Sequence, residues 1–334
     1  MRQYILKRLL LILPTLLGIT LVTFVIIQLA PGNPATLKIQ MTRQGGVTDQ
    51  AVAQAIVEQT RKLYGLDKPL LVRYGIWLKQ IATLNFGNSY KDHRPVMEKI
   101  WEAMPITLQI SLLSIFLSYL IAIPMGVYSA VKQDSAVDRV STVALFVLYS
   151  LPNFWVATLL IVYLGGGDYL DLFPIDGANS FDADQWPFWR WLSDRIWHLV
   201  LPVACLTYGG LASLSRYMRA GMIEVIRQDY ILTARAKGLS EKIVVFKHAF
   251  RNSVIPIVTF LAFLLPAMIG GSVIVESIFS IPGMGKLGFE AVLSRDYPVI
   301  MAIATISALL TLVGILLSDI LYVLVDPRIS FEGL

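Results

Sequence analysis

Residues 229–256 read DYILTARAKGLSEKIVVFKHAFRNSVIP and lie between two apolar segments of membrane length. Asp229 is placed to cap a short helix over 230–237, since its side-chain oxygen can accept from the first free backbone N–H groups. Gly238 then falls at the C′ position, which favours positive φ, while Arg235 and Lys237 occupy the last turn, where cations suit the dipole. Ser240, with Glu241 one place inside, is expected to cap a second helix whose Ile243, Phe246 and Phe250 recur at helical spacing. The pattern is helix, glycine turn, helix. From Arg216 to Arg251 the chain carries eight Lys/Arg and three Asp/Glu, so this piece does not cross a bilayer. It is expected to lie at a membrane surface and present its turn there, although a basic loop resting on anionic headgroups would carry the same charges.

Of the 334 residues 56% are apolar and the mean hydropathy is +0.65, which reads as a polytopic membrane protein. Six stretches lack Asp, Glu, Lys and Arg: 9–30, 105–131, 140–164, 199–215, 254–275 and 297–318. Even the shortest suffices to cross about 30 Å of hydrocarbon as a helix. The expected fold is therefore all-α with six transmembrane helices. Arg2, Lys7 and Arg8 precede the first stretch as in a signal peptide, but its apolar core is too long and Gln28-Leu29-Ala30-Pro31 is a poor cleavage site. It reads as a retained first helix. Cys205 is the single cysteine, so no intramolecular disulfide forms. The net charge of +5 needs no nucleic acid, because basic cytoplasmic loops account for it.

Short-loop charges orient the chain. Arg2, Lys7 and Arg8, then Lys132 and Arg139, then the 216–251 loop, and finally Arg328 all fall on one side if there are six spans, which puts both termini inside. The segment 31–104 then lies outside, between the first two helices; its ten Lys/Arg do not object, since long translocated segments escape the rule. The domains are thus an N-terminal helix at 1–30, an extracytoplasmic segment at 31–104, and a five-helix core at 105–325 containing the cytoplasmic loop 222–252. Pro31-Gly32-Asn33-Pro34 stops the first helix, a helical stretch follows near 49–64, and Tyr64–Leu70 and Asn85–Ser89 read as loops. Pro124, Pro152 and Pro202 are candidates for kinks around a pathway, or for ordinary packing. The outside loop 165–196 carries Asp168, Asp171, Asp176, Asp182 and Asp184; none has EF-hand spacing, so a solvated acidic loop is expected. Trp186, Trp189, Trp191 and Trp197 close it as an interfacial belt.

Some chemistry is missing from the sequence. It has no G-x-x-x-x-G-K-[ST], so a P-loop is excluded, and His93, His198 and His248 fall in three different places of this topology. No H-E-x-x-H or G-x-S-x-G occurs, which leaves an enzymatic reading without residues. Glu276 at the outer edge of the fifth span is a functional candidate, or it snorkels to water or pairs with Arg295.

TARAKG followed by HAFRNSVIP resembles the cytoplasmic EAA loop of ABC importer permeases, in the version of the dipeptide/oligopeptide/nickel family. The matching positions are Leu232, Thr233, Ala234 and Gly238, without the Glu of the general form. The phrases Gly65–Pro69, Asn85–Ser89, Glu276–Gly285, Arg295–Pro298 and Asp326–Arg328 also resemble this family, over nearly the whole chain. The resemblance implies a type I ABC importer permease fold in a bacterial inner membrane. It further implies a second homologous permease, two ATPase subunits that use ATP and Mg, and an extracytoplasmic substrate-binding protein, with no cofactor on this chain. Asp229, Thr233, Ala234, Arg235, Ala236, Lys237, Gly238, Leu239 and Ser240 would then dock on an ATPase. An outer gate at Glu276, Pro282, Gly283 and Gly285 is the companion expectation. Peptides are the expected cargo. Nickel chelates, glutathione or peptide antibiotics stay open as alternatives; a secondary transporter would need ionisable residues near mid-membrane, which the uncharged spans lack.

Overall fold

A computed structural model describes residues 2–29, 58, 67–166, 169–254, 257, 264 and 267–325. Among these the chain is helical and its only β pairing is an isolated Asn88–Pro95 bridge. The helices are α1 (Arg2–Leu29), α2 (Leu70–Ala82), α3 (Val96–Val131), α4 (Ala136–Ser150), α5 (Asn153–Leu164) and α6 (Phe188–Ile226). There follow α7 (Asp229–Ala236), α8 (Glu241–Ile243), a π-helical turn at Val244–Ala249 and α9 (Phe250–Ser253). The series ends with α10 (Val273–Ile278), α11 (Met284–Ser294) and α12 (Tyr297–Val325). Two compact units result, one from the described residues of 1–104 with 287–310, the other from those of 105–286 with 311–334.

The first unit is built on aromatic packing. Phe24 and Ile27 of α1, Trp77 of α2, and Tyr297 and Met301 of α12 form its core. Two sequence phrases meet beside it: the buried Asp296 carboxylate accepts from the Ser89 hydroxyl at 2.5 Å and from the Tyr90 N–H at 2.9 Å. The Asn85–Ser89 loop is thereby fastened to the start of α12. Ser89 Oγ in turn accepts from Lys99 Nζ at 3.2 Å, and Lys99 pairs with Asp92 at 2.7 Å.

The second unit joins long helices through hydroxyls, as apolar surroundings favour. Ser118 of α3 donates to the Thr207 carbonyl of α6 at 3.1 Å, and Thr207 Oγ1 donates to the Val203 carbonyl at 2.7 Å. At its other end Asp194 accepts from Ser180 Oγ at 2.7 Å, Ser180 N–H at 2.8 Å and Asn179 at 3.1 Å. The acidic loop expected to be merely solvated is therefore pinned to α6, and among the described residues no cluster of metal-binding side chains forms in it. Gly167 and Asp168 lie outside the described residues.

Four described helices are long and apolar enough to cross a membrane: Leu6–Leu29, Val96–Val131, Phe188–Ile226 and Tyr297–Leu317. The expected span 140–164 is not one straight helix. It breaks into α4 and α5 with a 95° bend. The cause is local: Pro152 has no N–H to continue the ladder, and Leu151 before it is driven to extended backbone at φ −82°, ψ 126°. Tyr208 Oη of α6 donates to the freed Leu151 carbonyl at 3.0 Å. Pro124 and Pro202, by contrast, sit inside continuous helices. Ten residues of the expected span 254–275 (255, 256, 258–263, 265 and 266) lie outside the described residues, as does the stretch 49–64 apart from Glu58.

One ion pair ties the near ends of α3, α4 and α6. Asp138, 3% exposed, receives Arg219 Nε at 3.0 Å and Nη2 at 2.8 Å, the Asp134 N–H at 3.0 Å, and the Ser129 hydroxyl. This fork geometry is the strong form of carboxylate pairing. Removing one partner leaves a charge stranded, so Asp138→Asn is expected to destabilise the protein by about 2 kcal/mol. Thermal unfolding of Asp138→Asn, Arg219→Gln and the double variant checks this. The double variant should lose clearly less than the two single losses added together; strict additivity would mean the pair contributes nothing.

Candidate functional site

The segment between α6 and α9 folds as helix, glycine turn, helix. Gly238 stands at φ +76°. Its N–H donates to the Arg235 carbonyl at 2.9 Å and the next N–H, of Leu239, to the Ala234 carbonyl at 3.4 Å, the paired bonds of a Schellman ending. No atom lies within 4 Å of where a Gly238 Cβ would be, so glycine is required there by backbone angle and not by space. Arg235 reaches across the turn to Glu241 at 2.8 Å; with the two side chains 37% and 64% exposed, this is worth about 0–1 kcal/mol.

The start of the motif differs from expectation. Asp229 is the first helical residue and Gln228 holds the cap position, with its carbonyl accepting from Ile231 at 3.0 Å. Asp229 still places a negative charge in the first turn, where the dipole favours it. Ser240 does hold the second cap position, at φ −62°, ψ 146°, but its side chain makes no capping bond; its carbonyl takes the Val244 N–H at 3.0 Å.

The buried face is also shifted. Ile243 is 43% exposed and Phe246 65% exposed, while Val244, Val245 and Ala249 are buried. The π-helical turn at Val244–Ala249 is the reason, because its i→i+5 bonding stacks Val244 on Ala249 and rotates the expected α-helical stripe outward. Phe250 stays partly buried. Ile231, Ala234, Val244, Val245 and Ala249 share one core with Met218 and Met222 of α6, Leu145 of α4 and Ala122 of α3. Tyr230, Leu232, Leu239, Ile243 and Phe246 are left exposed on the same short segment. The basic loop expected from residue 216 starts later, since 216–226 complete α6 and Arg219 is spent on Asp138.

Glu276 is the second site. It is 3% exposed, so it does not snorkel, and among the described residues no arginine pairs with it. Oε1 accepts from Thr107 Oγ1 at 3.1 Å and the Ser272 N–H at 3.3 Å, while Oε2 accepts from the Lys286 N–H at 2.8 Å. The Gly285 N–H is a further donor. Thr107 accepts from the Met284 N–H at 2.8 Å, so its hydroxyl relays one segment to the other. Side chains at residues 283 or 285 would strike the carboxylate: a Cβ on Gly283 would meet Glu276 Oε2 at 2.6 Å, and one on Gly285 at 3.0 Å. Pro282 is exposed beside this buried cradle.

The family model described as the binding-protein-dependent transport system inner membrane component matches residues 122–331, and the model for its N-terminal part matches 1–111. The chain belongs to this family of transport-system inner membrane components. It is 43% identical to the oligopeptide transport system permease protein AppB of Bacillus subtilis over 99% of this chain and 100% of that protein. The inner membrane ABC transporter permease protein YejB of Escherichia coli O157:H7 is 35% identical, with 100% of each chain covered. The dipeptide transport system permease protein DppB of Alkalihalophilus pseudofirmus is also 35% identical, over 99% of this chain and 100% of that one. Within this inner membrane component, sequence reasoning missed Asp138, Arg219 and Thr107. Asp138 follows Ser135 as an ordinary first-turn acid would, and nothing local to it announces a partner 81 residues away.

Two outcomes test these geometries. Gly238→Val is expected to strain the turn by about 1–2 kcal/mol, and Gly238→Asn, which tolerates positive φ, clearly less. Proteolysis of the 237–243 segment in the purified protein reads the difference; equal behaviour would remove the backbone argument. All the Glu276 partners are donors, so Glu276→Gln turns an amide against one of them and should cost about 1–3 kcal/mol in thermal unfolding, with Thr107→Val following and Thr107→Ser near wild type.

Proposed function

We propose that this chain is the membrane-spanning permease subunit of an ATP-driven peptide importer, one half of a translocation pathway completed by a second, similar permease. The observation that carries the reading is full-length identity of 43% to a protein named an oligopeptide permease. A relative named a dipeptide permease, 35% identical over its whole length, supports peptides over nickel chelates, glutathione or antibiotics, and nothing observed favours ion-coupled transport.

In this reading six helices span the inner membrane with both termini in the cytoplasm, and 31–104 belongs to the extracytoplasmic side. Two ATPase subunits hydrolyse ATP with Mg, and an extracytoplasmic binding protein delivers cargo. Residues 229–240 dock on an ATPase. The exposed Tyr230, Leu232, Leu239, Ile243 and Phe246 support this, because a patch of apolar side chains left uncovered beside a fixed turn suits a protein partner. Glu276, with Pro282, Gly283 and Gly285, shapes an outer gate as two packings of one cradle. Alternating access is a shift between inward- and outward-open populations biased by nucleotide and cargo.

Reconstituted alone, the chain should neither hydrolyse ATP nor take up peptide; with ATPases and binding protein it should do both. Uptake by the isolated chain would defeat the importer reading. Orientation is checked by single-cysteine labelling in a Cys205→Ala background, chosen because Cys205 is fully buried among apolar side chains. A cysteine at 182 should label from outside intact cells and one at 240 only after permeabilisation.

A further inference from the structure

The first unit holds a cavity of about 490 Å³ that neither the docking segment nor the Glu276 cradle uses. Its floor is aromatic: Phe24 and Trp77 stand 6.4 Å apart with near-parallel rings, and Tyr90 and Tyr297 stand 6.3 Å apart. Lys68 and Arg73 supply its charge, and among the described residues that line it there is no Asp or Glu.

Arg73 is the anomaly. It is half-buried, yet no hydrogen bond or ion pair to its guanidinium exists among the described residues. Burial pushes it below its ordinary pKa, and Tyr90, Tyr297 and Asp67 offset this only in part, by charge acting at longer range. An arginine stays protonated in proteins, so the pocket keeps a positive charge with its donors unspent. Elsewhere in the chain comparable groups are matched: Arg219 has Asp138, and Arg94 has Glu98 and Glu102. A planar fork of donors fits two oxygens of a carboxylate or phosphate, and a cavity of this volume fits a small organic group.

We propose that this pocket binds an oxyanion, a carboxylate or a phosphate ester, seated on Arg73 with its apolar frame against the Phe24, Trp77, Tyr90 and Tyr297 rings. Lys68 adds attraction at the mouth. The oxyanion can come from a soluble solute or from an anionic lipid headgroup, since Phe24 lies toward the end of a helix apolar enough to span. The site does not depend on the transport reading.

The test uses the full chain with whatever subunits accompany it. In phosphatidylcholine nanodiscs it is titrated with N-acetylphenylalanine and with N-acetylphenylalaninamide, which differ in the charged end. In parallel, native mass spectrometry counts phosphatidylglycerol and phosphatidylcholine retained from mixed micelles. At least a tenfold preference for the carboxylate over the amide assigns the site to a soluble solute. A similar preference for phosphatidylglycerol assigns it to a lipid. Arg73→Gln should abolish whichever preference is seen while leaving the melting temperature within a degree or two of wild type, because no hydrogen bond or ion pair among the described residues is lost. Arg73→Lys, which keeps the charge without the fork, should keep part of it. Absence of both preferences in wild type, or a preference that survives Arg73→Gln unchanged, would overturn the proposal.

Discussion

A charge taken out of water must find its partners inside the molecule, and the second unit is arranged by that constraint. Glu276 and Thr107 are 169 residues apart in sequence and 3.1 Å apart in space. The carboxylate collects donors from α3, from the turn before α10 and from the first residues of α11. Most of those donors are backbone N–H groups, which a chain can offer only if it comes close without a side chain in the way. Gly283 and Gly285 meet that condition, so the glycines of this phrase follow from the acid rather than from turn flexibility. Asp138 repeats the principle at another place, with Arg219 as the answering charge.

Features set by local backbone rules were legible in the sequence. Gly238 was placed at positive φ from its distance to the preceding helix and from the cations before it, and it stands at +76°. The apolar stretches 9–30 as far as Leu29, and 105–131, 199–215 and 297–318, fall within long helices for the same reason, since a run of apolar residues needs no partner to declare itself. The bend at Pro152 was half legible. Proline marks where a ladder can break, but Pro124 and Pro202 are equally visible and their helices continue. Whether the break is taken depends on a neighbour such as Tyr208, which satisfies the Leu151 carbonyl, and that neighbour is 57 residues away.

What the sequence hid was long-range or depended on winding. Ile243, Phe246 and Phe250 are spaced for an α-helix, which is not the winding that forms here. A π turn moves the buried stripe to Val244, Val245 and Ala249, residues too similar in character to the others for a periodicity argument to separate. The Asp138 and Arg219 pair was invisible for another reason. Each residue has a plausible local role, the acid in a first turn and the arginine in a basic stretch, and only packing shows that the two roles cancel. Ser89 and Asp296 are alike in this: two phrases read separately turn out to be one hydrogen-bonded joint.

These details decide how a push on the glycine turn would travel. The turn is not hung on a loop, because Ile231 and Ala234 before it and Val244, Val245 and Ala249 after it are set in the same core as Met218 and Met222 of α6. Cores of this kind are close-packed and do not deform by small amounts; they move as a body or repack. α6 has 39 residues, about 58 Å of helix, so it extends well past a bilayer of about 30 Å. Near that same end Arg219 fixes it to α3 and α4 through Asp138, and further along Ser118 and Thr207 fix it to α3 again. A partner that displaced the turn would therefore displace the spans with it. The stiffness comes from the packing beneath the turn and not from the charges on its surface, so the turn, α6 and the helices fastened to it share one fate under load.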